Sequence, residues 1–284
     1  MELWLDIFMD ALIDSIKLFP FLLLTYLLME YLEHKTSTKT RAWIRKAGKL
    51  GPVAGGVAGI FPQCGFSVAA SNLYSGGIIT MGTLVAVFLS TSDEMLPIFL
   101  SEAVDAGIIL KVLGIKLVTA ILTGFLVDFV IRFHPNAIQY KNFHTMCESE
   151  HCHCETGIVK SAFTHTIKIL LFIFLFSLVM NFLIEIGGED RISEFLSSHA
   201  MFGPVFAAIV GLIPNCAASV LITQMYLGGI LDFGSMISGL LVGAGVGLLV
   251  LFRTNKRWKE NLSILGIVWA AGVFWGMIVN LFIH

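Results

Sequence analysis

The 284-residue chain is 56% hydrophobic and 13% charged, with a net charge of −2 and a mean hydropathy of +0.85. A soluble domain carries about 25% charged residues, so the composition excludes one and implies a polytopic protein whose surroundings are lipid. The small net charge is silent on partners, and nothing in the chain points to nucleic acid.

In chain order, residues 7–31 are the first apolar run long enough for a bilayer, which takes about 20 helical residues. The run lacks a basic leader and a small-residue cleavage site, so it reads as a membrane helix and not a signal peptide. The next loop carries Lys35, Lys39, Arg41, Arg45, Lys46 and Lys49 without an acid. Such a loop belongs in the cytoplasm. Glycine and proline break the apolar stretch that follows, up to the acidic loop holding Glu102 and Asp105. Three short spans would carry the chain across, and so would a re-entrant hairpin plus one full span. A long helix over 108–133 returns it to the cytoplasm, where a polar connector, 134–162, joins two halves.

The second half repeats this plan with spans at 167–186, 235–252 and 262–282. Its first loop holds Glu189, Asp190 and Glu194 against Arg191, while Arg253, Lys256, Arg257 and Lys259 follow its broken segment. Equivalent loops carry opposite biases, the signature of inverted-topology repeats. The expected fold is an all-α integral membrane protein of two inverted-topology repeats, 1–133 and 163–284, with Pro/Gly-broken helices and about ten membrane segments. It would sit in the inner (cytoplasmic) membrane with both termini outside and the connector inside. The oligomeric state stays open, a homodimer being one option.

The halves also share sequence. The segments 51–82 and 203–234 align without a gap at an offset of 152, with about a dozen identities. Among these are Pro62/Pro214, Cys64/Cys216, Ser67/Ser219, Tyr74/Tyr226 and two Gly-Gly pairs. Proline frees a backbone carbonyl in a helix, and non-helical backbone at membrane depth must face protein or water. Each break carries an amide and a thiol, Gln63-Cys64 and Asn215-Cys216, with Ser67 or Ser219 a turn later. Brought together at the midplane, Gln63, Cys64, Ser67, Asn215, Cys216 and Ser219 would form a substrate site. The plain alternative is that small and polar residues here are only packing glue between helices.

Two features are not duplicated. Asp93 and Glu94 interrupt an apolar stretch whose counterpart is glycine-rich, and intramembrane carboxylates usually mark ion or proton pathways. Lys116 lies deep in the following helix, where it could neutralise them or attract an anion. Asp93, Glu94 and Lys116 are therefore the candidates for cation or proton coupling. Asp128 is placed to pair with Arg132 one turn on. The connector holds His144, Cys147, His151, Cys152, His153 and Cys154, interspersed with glutamates. This is a dense ligand set for a thiophilic or borderline metal, though its spacing matches no zinc finger. It reads as a tract that gathers metal.

The Phe-Pro-Gln-Cys-Gly-Phe-Ser (61–67) and Ile-Pro-Asn-Cys-Ala-Ala-Ser (213–219) pair, the Ser-Thr-Ser-Asp-Glu-Met stretch (90–95) and the His/Cys-rich connector resemble the ten-transmembrane heavy-metal exporter family. Members of that family carry names such as manganese transporter and arsenic efflux protein. The resemblance covers essentially the whole chain and implies export of a metal or metalloid. The expected function is secondary-active export of a divalent, manganese-like heavy or transition metal ion by proton-coupled alternating access around the paired Pro-Gln/Asn-Cys motifs, with no cofactor beyond the transported ion. No GxxxxGK[ST] motif is present, which argues against direct ATP coupling in this chain. Two other readings are an anion or oxyanion exporter, for arsenite or a phosphate-like ion, and a membrane thiol redox enzyme using Cys64 and Cys216.

Overall fold

The computed structural model describes residues 50–61, 64–92, 95–132 and 203–282, with further positions inside 8–27 and 163–179. The described residues are helical, joined by short turns, and include no strand. The first half contributes α1 (Gly51–Gly59), α2 (Gly65–Ser75), α3 (Met81–Ser90), α4 (Met95–Ser101) and α5 (Ala106–Arg132). The second contributes α6 (Gly203–Gly211), α7 (Cys216–Leu227), α8 (Phe233–Val242), α9 (Val246–Thr254) and α10 (Trp258–Phe282). Each helix falls at the place its counterpart occupies 152 positions away, to within a residue or two at the ends.

The sequence sets the helix ends. Pro52 sits in the first turn of α1, where its missing N–H costs nothing. The duplicated Gly-Gly pairs stop α2 and α7. Gly77 (φ 74°) and Gly229 (φ 73°) adopt the left-handed conformation that glycine alone takes freely. The N–H of Ile78 then reaches the carbonyl of Leu73, and that of Ile230 reaches Met225, both at 2.9 Å. This is the Schellman arrangement, which satisfies carbonyls a helix end leaves orphaned. After four residues each chain starts again on an N-cap: the Thr80 side chain accepts from the N–H of Thr83, and Asp232 accepts from that of Ser235.

Helix directions follow from close approaches. Gly51 lies against Thr83, and Gly59 against Val87 and Ser90, so α1 and α3 run parallel. Gly82 faces Gly124 and Asp128, while Lys116 reaches Thr91, so α5 runs antiparallel to α3. Because only four residues separate the end of α2 from Thr80, α1 and α2 form a hairpin that comes back to the end where α1 began. The helices α3 and α4 then make the crossing. Of the two arrangements left open above, this is the hairpin plus one full span. Gly203 against Ser235, and Gly211 against Gly239, give the same hairpin for α6 and α7.

Four helical stretches are long and apolar enough to span a membrane among the described residues: Met81–Ser101, Ala106–Arg132, Phe233–Thr254 and Trp258–Phe282. The broken pair lies inside, 75% and 83% buried, against 33% for each of the continuous helices α5 and α10. Exposed Leu122, Phe125, Phe129, Phe274, Met277 and Phe282 give the continuous pair an apolar outer face suited to lipid. The main core joins the halves, with Leu84, Phe88 and Leu89 of α3 in one cluster with Ile237, Leu240 and Leu241 of α8. A second core packs Leu22, Tyr26, Ile169 and Ile173 against Val68 of α2 and Val246 and Val250 of α9.

Candidate metal site between the hairpins

Cys64 and Cys216 meet, their Sγ atoms 3.0 Å apart. Neither is in a disulfide; Cys216 is buried and Cys64 half-buried. Each stands at the start of the returning helix of its hairpin: Cys64 caps α2 and Cys216 opens α7. Two helix N-termini of 11 and 12 residues therefore converge on the sulfurs, and their dipoles favour negative charge there. The two positions are counterparts in the aligned segments, so each half brings its own copy of the motif to one point.

Around the thiols the duplicated serines play identical local parts. The hydroxyl of Ser67 donates to the carbonyl of Cys64, and that of Ser219 to the carbonyl of Cys216, each at 2.8 Å. Ser71 and Thr223 repeat the pattern one turn later, donating to the carbonyls of Ser67 and Ser219. With their protons committed, the hydroxyl oxygens of Ser67 and Ser219 keep lone pairs and can offer a ligand only these. Asn215 is buried in extended backbone as the N-cap of α7, and its side chain makes no capping bond.

Lys116 is almost completely buried, 1% exposed. Its ammonium donates to the main-chain carbonyls of Thr91 and, at 2.8 Å, of Leu240. The ammonium thus touches both halves of the molecule. Asp128 keeps the charge of Arg132, its expected partner, within electrostatic reach, and its hydrogen bonds go elsewhere. Its carboxylate accepts from Thr80 Oγ1 and the N–H of Gly82, both at 2.8 Å, and so caps the start of α3. An acid near the end of α5 meets the open N–H groups of α3 because the two helices are antiparallel.

Gln63, Asp93, Glu94 and the connector residues His144, Cys147, His151, Cys152, His153 and Cys154 lie outside the described residues. Among the described residues no three His, Cys, Asp or Glu side chains gather into a metal-holding group. Sequence reasoning found the thiols but missed Thr91 and Leu240, which act through main-chain carbonyls that carry no residue signature.

The sequence model of a family described as "Putative, 10TM heavy-metal exporter" matches residues 4–187 and 167–284. No curated protein and no solved structure matches the chain.

Proposed function

The chain belongs to the ten-transmembrane heavy-metal exporter family, and from that premise we propose that it is a secondary-active exporter of a thiophilic divalent metal, working by alternating access around Cys64 and Cys216. The sulfur contact of 3.0 Å carries this reading. Two thiolates on a tetrahedral zinc-like ion at about 2.3 Å would stand about 3.8 Å apart, so the pair need part by less than about 1 Å to admit it. Paired sulfur favours soft or borderline ions over manganese, which prefers oxygen. Asn215 and Gln63 would add amide oxygens, while Ser67 and Ser219 hold the two turns. Proton coupling through Asp93 or Glu94, and metal capture by the connector, belong to the same proposal and rest on the sequence.

Inverted topology is supported by how ends pair. The end of α2 meets the end of α9, with Ser75 Oγ 2.7 Å from Thr254 Oγ1. The end of α7 meets α4 at the other extreme, where the Tyr226 ring tilts against that of Phe99. Arg253 in the last turn of α9 and Lys256 and Arg257 just after it make the α2 end cytoplasmic by the positive-inside rule. A second reading, an oxyanion exporter, is favoured by the two helix N-termini that converge on the site.

Flux of cadmium, zinc, manganese and arsenite into proteoliposomes tests both. The expected result is flux of a soft divalent ion that falls by about 100-fold or more in Cys64→Ser/Cys216→Ser, a loss typical of removing metal-binding groups. Manganese flux that survives loss of the thiols but fails in Asp93→Asn would move the site to the carboxylates. Arsenite flux independent of the thiols favours the oxyanion reading, and absence of all flux sinks transport of metals.

A further inference from the structure

The breaks in the two inner spans leave carbonyls without helical partners. The last four carbonyls of any helix lack an N–H from the next turn. Thr91 stands just past α3, in extended backbone with ψ 127°. In α8, the carbonyl of Leu240 would normally accept from the N–H of Ala244, but that N–H turns to Val242 at 2.7 Å. The break at Gly243–Gly245 causes this, with Gly245 in the left-handed region (φ 54°). The two orphaned carbonyls come from different halves, and α3 and α8 pack on each other in the centre of the molecule. Both are the negative ends of half-helices, where discontinuous transporter helices hold cations.

In this chain the position is filled by the ammonium of Lys116, reaching both carbonyls from α5. The equivalent residue of the second half is Val268, also buried, so the charge is not duplicated. We propose that the ends of α3 and α8 form a monovalent-cation site and that Lys116 is a tethered cation occupying it, in place of a sodium or potassium ion. A buried lysine inside a membrane protein is costly and is kept where it is paired or functional. An ammonium and a small alkali ion make the same demand, namely carbonyl oxygens at close range. Removal of the lysine side chain would leave the carbonyls with no cation and open the site to a diffusible one. The inference rests on the reading of the chain as a transporter only in its flux arm, because binding is read separately.

The test uses the full chain, wild type and Lys116→Ala, in lipid nanodiscs. Thermal unfolding is followed in sodium, potassium, methylammonium or choline chloride at equal ionic strength. Lys116→Ala should gain about 2–4 °C in at least one of the small cations over choline, which is too bulky for the site, while wild type is indifferent. In proteoliposomes its metal flux should drop about 10- to 100-fold in choline and recover in the stabilising cation, the loss being that of a buried charged hydrogen-bond donor. Lys116→Met fills the space without charge, and its flux should be lost in every salt. A folded Lys116→Ala indifferent to all three small cations, an equal shift in wild type, or wild-type flux by Lys116→Met would each overturn the proposal. Should Lys116→Ala not fold, the flux of Lys116→Met decides. Should wild type carry no metal at all, the unfolding arm still decides the cation site and only the transport reading fails.

Discussion

The two halves of the molecule share a scaffold and differ in charge and in closeness of fit. Both place a thiol at the start of a returning helix, both stop that helix on a Gly-Gly turn, and both restart it on a side-chain cap. Yet α2 packs along α9 from Ser71 and Gly247, 2.6 Å apart in a hydrogen bond, to Ser75 and Thr254. The equivalent pair, α7 and α4, packs more sparsely, with Tyr226 and Phe99 ring centres 6.4 Å apart. Lys116 answers to Val268, and Asp93-Glu94 answers to Gly245-Val246. What is duplicated builds the hairpins and the thiol contact. What is not duplicated is the charge.

The duplicated glycines give the largest expected effect on stability. A Cβ on Gly59 would lie 2.7 Å from the carbonyl oxygen of Val87 and collide with Ser90, and one on Gly211 would collide with the carbonyl of Gly239. Backbone cannot yield as a side chain does, so Gly59→Ala and Gly211→Ala should each cost about 1–3 kcal/mol. Gly114 and Gly266 are another equivalent pair, exposed, with nothing within 4 Å of an added Cβ. Alanine there should be neutral or slightly stabilising. Unfolding temperatures of the four variants check this. Similar losses within the first pair and none within the second would sharpen the equivalence of the halves. A loss in only one hairpin would break it.

The caps give the next effect, because their acid has changed sides. In the first half Thr80 caps α3 and Asp128 comes from α5. In the second, Asp232 itself caps α8, with 2.6 Å to the N–H of Ser235, and Asn280 of α10 donates to it at 3.1 Å. Thr80 aligns with Asp232 and Asp128 with Asn280. Asp128→Asn should therefore cost about 1–2 kcal/mol by removing the anion from the helix start. Thr80→Asp alone should cost more, by facing one carboxylate with another. Thr80→Asp/Asp128→Asn rebuilds the second-half arrangement and should regain most of the loss. If the double variant is as unstable as the sum of the singles, the two caps are not interchangeable.

The sequence carried the repeat, the breaks and the thiols, because each rests on residue types that only one backbone use suits: proline, Gly-Gly and cysteine at one fixed offset. It left the hairpin undecided. Helices of 9 and 11 residues such as α1 and α2 can be short spans or two limbs of a turn, and hydropathy is the same for both. The close packing of Gly51 and Gly59 on α3 settles the direction, and that information lies in contacts across the chain. Lys116 stood out as a deep charge, but its partners could not be read, since any residue supplies a carbonyl. Asp128 pointed to Arg132 by helical spacing, whereas an open helix N-terminus on α3 won. The open N–H of Gly82 together with the Thr80 hydroxyl is a stronger draw than one exposed cation a turn away.

The smallest effect lies at the symmetric centre. Trp275 Nε1 donates to Thr123 Oγ1 at 2.9 Å, and these positions, like the two cysteines, are 152 apart. On the proposed inverted repeat, a contact between a residue and its own counterpart lies at the centre, away from the α2–α9 and α7–α4 contacts that distinguish one end from the other. On the proposed alternating-access cycle the end contacts trade tight for sparse packing, while a contact at the centre persists in both states. Trp275→Phe and Thr123→Val should then each cost about 1 kcal/mol or less, with a coupling of about 0.5–1 kcal/mol in the double-mutant cycle. Neither should change the balance between inward- and outward-facing forms, read by the accessibility of Cys64 to a thiol reagent from either side. By contrast Gly247→Ala, whose Cβ would sit 2.6 Å from Ser67, should loosen α2 from α9 and shift that accessibility. A shift caused by Trp275→Phe instead would place the moving interface at the centre and the fixed one at the ends.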